Sequence, residues 1–438
     1  MTKPSPPRVA ILGAGPAGLE AAAYGRSLGW PVAVYEQGLP GAHVERWGFV
    51  RMFTPFGSNV SPLGRQAILR EAPMHEFPAD AALLTGAEYK AAYLTPLANT
   101  AALGPFLVPD SRVVAVGRAG WRKTDPRPDP RKPLPPFKLL VRDGKGVERF
   151  EAADAVLDCT GVLGRPNWFG DGGIPAAGEI AARPQFAYGT DDVLGVRRPH
   201  YAGKTVAVVG AGYSAATVVC DLATLADEQQ ATWVVWLTHG PKTSPLPRLA
   251  NDPFKERDRL AARANHLAAR CDGNLEYHAQ CVNDECVSLG PDKGFRLAAK
   301  VAGKPMAWEV ERVVSAVGYR PDVKAWVNDF SVAVVPSIYE DPLPRAVIES
   351  MSFAKPVVAF DVGGIPEMIE DMKNGMLVRG HPPDVDGLAD AFVRYASDPA
   401  LRRAHGEAAR KLAVDHFDSR AHAKRMQDAL LRVVAERS

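Results

Sequence analysis

Three glycines near the start of the chain, Gly13, Gly15 and Gly18, stand in the order Gly-x-Gly-x-x-Gly, directly after the apolar run Val9-Ala10-Ile11-Leu12. The chemistry open to that spacing is phosphate binding. The first glycine permits a tight turn, the second lets a pyrophosphate approach the backbone, and the third lets a helix pack closely on a strand. An Ala-rich stretch follows, then a second apolar run ending in Glu36, eighteen positions past Gly18. An acid at that distance accepts hydrogen bonds from ribose hydroxyls. Strand, glycine turn, helix, strand and acid make a βαβ unit that binds a dinucleotide.

The same unit recurs over residues 204–239, where Gly210-x-Gly212-x-x-Ala215 opens a second helix that also carries Ser214. Here the second strand, around Trp233 to Leu237, ends in Thr238 and His239 without a carboxylate, so nothing repels a 2′-phosphate on the ribose. Lys242 and Arg248 follow, which favours NADPH over NADH as the second dinucleotide, with NADH left open.

These units must be carried by a soluble globular chain. Its 438 residues are 46% hydrophobic and 23% charged, a composition that excludes disordered and fibrous classes. A net charge of +2, with basic residues scattered along the chain, argues against a nucleic-acid or anionic-membrane partner. No run nears the roughly 18 apolar residues that cross a bilayer, and the N-terminal apolar stretch leads into glycines instead of a cleavage site. A cytoplasmic protein is expected. Five cysteines, Cys159, Cys220, Cys271, Cys281 and Cys286, are too few and too dispersed for a disulfide framework, and none joins histidines at zinc spacing. The Pro-rich stretch from Asp125 to Pro136 is a loop or linker.

Two dinucleotide units about 200 residues apart make residues 7–322 resemble the FAD-dependent pyridine-nucleotide oxidoreductases, which include flavin monooxygenases and thioredoxin-reductase-like enzymes. Ala155 to Gly161, AVLDCTG, resembles the turn where that family's chain leaves the FAD domain, and Val313 to Asp322, VVSAVGYRPD, the strand by which it returns. The resemblance implies FAD on Gly13, Gly15, Gly18 and Glu36, with Thr160 and Gly161 beside it. It implies a nicotinamide donor on Gly210, Gly212, Ser214 and Ala215. The chemistry implied is hydride transfer from nicotinamide to flavin and onward to oxygen or another small-molecule acceptor.

The loop from Gly41 to Gly64 loosely resembles the flavin-edge stretch of the monooxygenases and offers Arg46, Trp47 and Asn59, the last as the one catalytic candidate because an amide can hydrogen-bond an oxygenated flavin. The monooxygenase Phe-x-Gly motif with a following His is not reproduced by Phe186-Ala187-Tyr188-Gly189. Cys281 and Cys286 have the CxxxxC spacing of a redox pair, but they fall late in the second unit, on alternating surface strands beside acids that would raise a thiol pKa.

Beyond Asp322 the sequence changes character. Residues 332–371 resemble the donor-binding half of retaining glycosyltransferases built from two Rossmann-like domains, a likeness covering about 325–438. It implies that Asp341 holds sugar hydroxyls, Glu349 the nucleotide ribose, and that Gly363 and Gly364 turn near the sugar. The likeness begins partway through that family's second domain. The tail, with His405 to Lys411 and His422 to Val434, reads as packed amphipathic helix.

The expected fold is α/β: an FAD-binding domain over 1–175, an NAD(P)H-binding domain over 176–322 and a partial glycosyltransferase donor domain over 323–438. The expected function is FAD-dependent NAD(P)H oxidoreduction, monooxygenase-like. The alternatives are nucleotide-sugar transfer or a non-catalytic fusion protein. No segment that would close the FAD domain after Asp322 is recognisable.

Overall fold

The computed structural model describes residues 6–120, 135–241, 244–249, 252–270, 273–290, 292–319, 331–337, 344–380 and 383–417. They divide into two compact units: those as far as Tyr319 form the first, and those from Ser331 the second.

The first unit is one architecture built twice. In its first half, β1 (Val9–Leu12) is buried along its whole length and lies parallel between β2 (Val32–Tyr35) and β7 (Ala155–Asp158), with β3 (Leu107–Val108) beyond β2. Continuous apolar sequence is what a parallel strand covered on both faces requires. Helix α1 (Pro16–Ser27) starts on Pro16, whose missing N–H costs nothing in a first turn, and lays Leu19, Ala22 and Ala23 on the sheet. An antiparallel meander, β4 (Ser111–Arg118), β5 (Phe137–Asp143) and β6 (Glu148–Ala153), comes between β3 and β7. Helix α2 (Pro62–Glu71), capped by the Ser61 hydroxyl, completes this half.

The second half repeats the plan. Parallel strands run in the order β11-β10-β9-β15-β8, comprising β8 (Ala187–Tyr188), β9 (Thr205–Val209), β10 (Trp233–Leu237), β11 (Leu275–His278) and β15 (Arg312–Ser315). Again a meander, β12 (Cys281–Ser288), β13 (Phe295–Val301) and β14 (Lys304–Val310), precedes the final strand. Alternation along β9 and β10 sorts the two faces. Val206, Val208, Val234 and Trp236 meet helices α3 (Tyr213–Glu228) and α4 (Lys255–Arg270), whose buried Ala261, Ala264 and Ala268 permit close approach. Ala207, Val209, Val235 and Leu237 meet the meander.

Phe169, Ala176, Ala182 and Phe186 pack into that same meander core, so the chain has joined the second half by Phe169. The Val313 to Asp322 segment opens as β15, inside the second sheet. Among the described residues the first sheet has no strand beyond β7, and Leu157 on it is 38% exposed.

The second unit holds three parallel strands, β16 (Ala333–Val335), β17 (Val357–Phe360) and β18 (Gly375–Val378), with helices α5 (Arg345–Ser352), α6 (Val385–Ser397) and α7 (Pro399–Phe417). Helix α7 buries His405, Gly406, Ala409 and Ala413, the packed face expected from His405 to Lys411, while His422 to Val434 lie outside the described residues. Gly406 is required, since a Cβ would stand 2.3 Å from the Ala354 carbonyl oxygen. Among the described residues no helix is long and apolar enough to cross a membrane.

Candidate functional site

Both glycine loops are shaped by the strand that follows their meander. Gly13 has φ +97° and a Cβ there would lie 2.7 Å from the Cys159 carbonyl oxygen, just past β7. Gly210 has φ +137° and a Cβ would lie 2.3 Å from the Ala316 carbonyl oxygen, just past β15. Only glycine meets both demands. Gly18 abuts the Gly13 carbonyl oxygen, where a Cβ would be at 1.9 Å, whereas its counterpart Ala215 is fully buried with its methyl accommodated. Gly15 and Gly212 differ: nothing lies within 4 Å of a Cβ position at either. Each is the N-cap of its helix and supplies no side-chain cap, which leaves first-turn amides and the positive helix end facing open space.

Glu36 ties the first loop together. Its carboxylate accepts the Ala14 N–H at 2.7 Å and the Gly38 N–H at 3.0 Å, while Gly41 donates its N–H to the Ala14 carbonyl. The acid therefore stands just past β2 and ties the glycine loop to the turn that follows it. Nearby His43, on the short helix Ala42–Arg46, has a buried Nε2 with no partner among the described residues. Burial lowers its pKa, and Arg46 lowers it further against the pull of Glu36. Nothing in the sequence marked it.

The other first-half candidates have local duties. Asn59 spends its amide on the carbonyls of Thr54 and Pro55 and accepts the Thr54 hydroxyl at 3.0 Å. Trp47 packs against Gly86, where a Cβ would lie 2.6 Å from the indole. Thr160 donates to Asp158 at 2.6 Å in an exposed turn, and Gly161, φ +68°, faces open space. Arg46 lies close enough to Tyr319 to counter the upward push of burial on that hydroxyl. The Phe53 ring meets Tyr213 edge-on at 5.8 Å, which brings the loop from Gly41 to Gly64 up to the second glycine motif.

The second loop opens on a pocket of about 630 Å³. Gly210, Gly212, Tyr213 and Ser214 line one side, Leu237, His239 and Gly240 another, and Ala316 to Tyr319 a third. The remaining wall comes from Phe169, Gly170, Cys281 and Asn283. That wall is organised by Glu179, a fully buried carboxylate that accepts the N–H groups of Phe169 and Ala176. Arg248, expected to favour a 2′-phosphate, is held by Asp258 through two hydrogen bonds of 2.8 and 2.6 Å; Lys242 lies outside the described residues.

Cys281 and Cys286 are not on a surface strand. A bulge between Asn283 and Glu285 shifts the alternation of β12 by one residue, so Cys281, Asn283 and Cys286 all turn inward. Burial pushes the Cys281 thiol up to about 11; burial together with Glu179 and Glu285 pushes Cys286 up to about 12. Both thiols are free.

In the second unit Glu349 sits half-exposed on α5, 3.5 Å from Arg345, and Gly363, φ +60°, leads with Gly364 from β17 into the short helix Ile365–Met368. Asp341 lies outside the described residues.

Residues 285–398 match the family model described as glycosyl transferases group 1. An alpha-maltose-1-phosphate synthase of Mycolicibacterium smegmatis is 38% identical over 147 residues, which is 30% of this chain and 38% of that protein. A D-inositol 3-phosphate glycosyltransferase of Kribbella flavida is 39% identical over 90 residues, 20% of each chain. The chain thus spans well under half the length of these curated relatives. Among solved structures, the bacillithiol disulfide reductase of Bacillus cereus superposes with TM-score 0.54 at 15% identity, over 94% of this chain and all of the other. An FAD-bound cadaverine monooxygenase of the desferrioxamine pathway of Erwinia amylovora gives 0.51 at 17% identity, over 74% and 81%. An ornithine hydroxylase of Pseudomonas aeruginosa gives 0.51 at 14%, over 73% and 84%. The chain therefore joins the fold of Rossmann-type reductases and monooxygenases, carried by its first unit, to a C-terminal segment of glycosyl transferases group 1 type.

Proposed function

We propose that the first unit is a flavin-dependent NAD(P)H oxidoreductase. The observation that carries this reading is the pairing, within one compact unit, of two uncapped helix N-termini behind glycine loops pinned in the same way, at Gly13 by Cys159 and at Gly210 by Ala316. The first loop fits the pyrophosphate of FAD, because Gly15 leaves room that any Cβ would fill and the first-turn amides of α1 lack a cap. Glu36 stands where the ribose hydroxyls would lie and can exchange the Gly38 N–H for one of them. When bound, the flavin supplies hydride acceptance from a nicotinamide and electron delivery onward. The chain's own work is to seat the second pyrophosphate on Gly212 and Tyr213 and to shield the pocket with Phe169, Leu237 and Val317.

NADPH remains the proposed donor over NADH on the absence of a carboxylate after β10, where His239 lines the pocket; Arg248 is engaged by Asp258. An external acceptor, oxygen included, is favoured over a dithiol relay, because the Cys281 and Cys286 thiols are buried and protonated at neutral pH. The test is the visible spectrum of the purified chain, reconstituted with FAD and titrated anaerobically with NADPH. A flavin spectrum that bleaches supports the reading; a chain that takes up no flavin refutes it.

A second reading is favoured by the family match over 285–398: nucleotide-sugar transfer through the second unit, with Asp341 and Glu349 as ligands. Binding of a nucleotide-sugar that is lost in Glu349→Ala, by a chain without flavin, would establish it in place of the first.

A further inference from the structure

The pocket behind Gly212 contains a polar group that the fold leaves unused. Asn283 is 6% exposed and lines that pocket, two residues into β12. Its Nδ2 donates to the Phe169 carbonyl oxygen at 3.1 Å. A carbonyl can only accept, so this bond fixes which end of the amide is which. Oδ1 is then left buried with no partner among the described residues. An unpaired buried acceptor is costly unless a ligand satisfies it. The Phe169 segment that holds the amide is itself locked by Glu179, so the acceptor is preorganised.

Its place in the fold says which part of a dinucleotide it would meet. Cys281 donates its N–H to the Thr238 carbonyl at 2.9 Å, so β12 departs from the end of β10, beside His239 and Gly240. The adenosine ribose lies over the end of that second strand in a dinucleotide βαβ unit. Gly210 to Gly212, where the pyrophosphate would sit, line the same pocket. Building on the dinucleotide reading above, we infer that Asn283 is a specificity residue for the purine: Oδ1 accepts a hydrogen bond from the exocyclic amino group of adenine. A base with a carbonyl oxygen at that position would set acceptor against acceptor, and a buried polar site rejects such a mismatch strongly.

The experiment is equilibrium binding of oxidised dinucleotides to the full chain, followed by tryptophan fluorescence and checked by calorimetry. Three probes are used: NADP+, its hypoxanthine analogue, in which the amino group is a carbonyl, and its 3-acetylpyridine analogue, in which the nicotinamide carboxamide is replaced. Wild type should bind the hypoxanthine analogue about tenfold to hundredfold more weakly than NADP+, and Asn283→Leu should reduce that ratio to within about threefold. Equal binding of NADP+ and the hypoxanthine analogue by wild type would overturn the inference while leaving the dinucleotide site intact. So would discrimination that persists in Asn283→Leu and Asn283→Ala, or discrimination against the acetylpyridine analogue alone, which would place the acceptor at the carboxamide. Failure of all three to bind would instead remove the dinucleotide reading and the inference with it.

Discussion

The two glycines of the second loop make opposite demands, and substituting each by alanine separates folding from binding. At Gly210 an alanine must adopt φ +137° and set its methyl 2.3 Å from the Ala316 carbonyl oxygen. Forcing a side chain into such a backbone region costs about 1–3 kcal/mol, and displacing the packed backbone costs about another 1–3 kcal/mol. Together these come to about 2–6 kcal/mol, and at roughly 2–4 °C per kcal/mol Gly210→Ala should lower the melting temperature by about 4–24 °C. At Gly212 the backbone is ordinary, φ −90° and ψ 177°, with nothing within 4 Å of a Cβ. Gly212→Ala should cost under about 1 kcal/mol, the usual loss at an N-cap. Its methyl, however, occupies the approach of a pyrophosphate to the first-turn amides, so NADP+ should bind about tenfold or more weakly. Circular dichroism melts and NADP+ titrations on the same samples read both effects. Native-like affinity in folded Gly212→Ala would refute the assignment of the pocket; wild-type melting in Gly210→Ala would refute the role given to β15.

Other outcomes follow from named groups. Burial pushes the Asp221 carboxyl up to about 6, with Arg263 opposing and Asp192 adding, so the folded chain holds this proton more tightly than the unfolded one. Its stabilising contribution is present below about pH 4 and lost as pH rises through about 6. Asp221→Asn should therefore raise stability by about 1–3 kcal/mol at pH 7.5 and by almost nothing at pH 4, as denaturant midpoints will tell; an equal gain at both would contradict it. The thiols of Cys159, Cys220 and Cys281, each pushed up to about 11, and Cys286, at about 12, should resist an aromatic disulfide reagent at pH 8 until the chain is denatured. Fast labelling of any of the four in the native protein would argue against their burial. Glu36→Gln retains one acceptor for two N–H groups and should cost about 1–2 kcal/mol along with at least tenfold in FAD affinity, measured by flavin retention on dialysis.

What could be read in the chain was local. Gly15 and Gly18 announce a turn because their demands arise within the loop and its own helix, whereas the contact that reserves Gly13 comes from distant Cys159; the apolar runs on either side declare parallel strands. Glu36 was placed by counting. Asn59 shows what counting does not reveal: in its loop the amide donates to the neighbouring carbonyls of Thr54 and Pro55. The wall of the pocket was illegible because Phe169, Asn283 and Val317 are brought together across more than a hundred residues by the second sheet and its meander, and no spacing encodes that. The inward turn of both Cys281 and Cys286 depends on one bulged residue, which strict alternation cannot anticipate.

The contacts that pin each glycine loop also set a schedule for making the protein. Gly13 closes against Cys159, and Arg8 is clamped to Asp154 through bonds of 2.8 to 3.1 Å. The N-terminal loop thus cannot be finished when it leaves the ribosome; it must wait for β7, synthesised on the order of ten seconds later at usual elongation rates. Gly210 waits in turn for Ala316. Each half stays open at its glycine loop until its last strand arrives, a non-local closure that slows folding. During those intervals neither glycine loop is complete, and the edge of β1 or β9 that awaits β7 or β15 is an unpaired strand edge open to misassociation or to a chaperone.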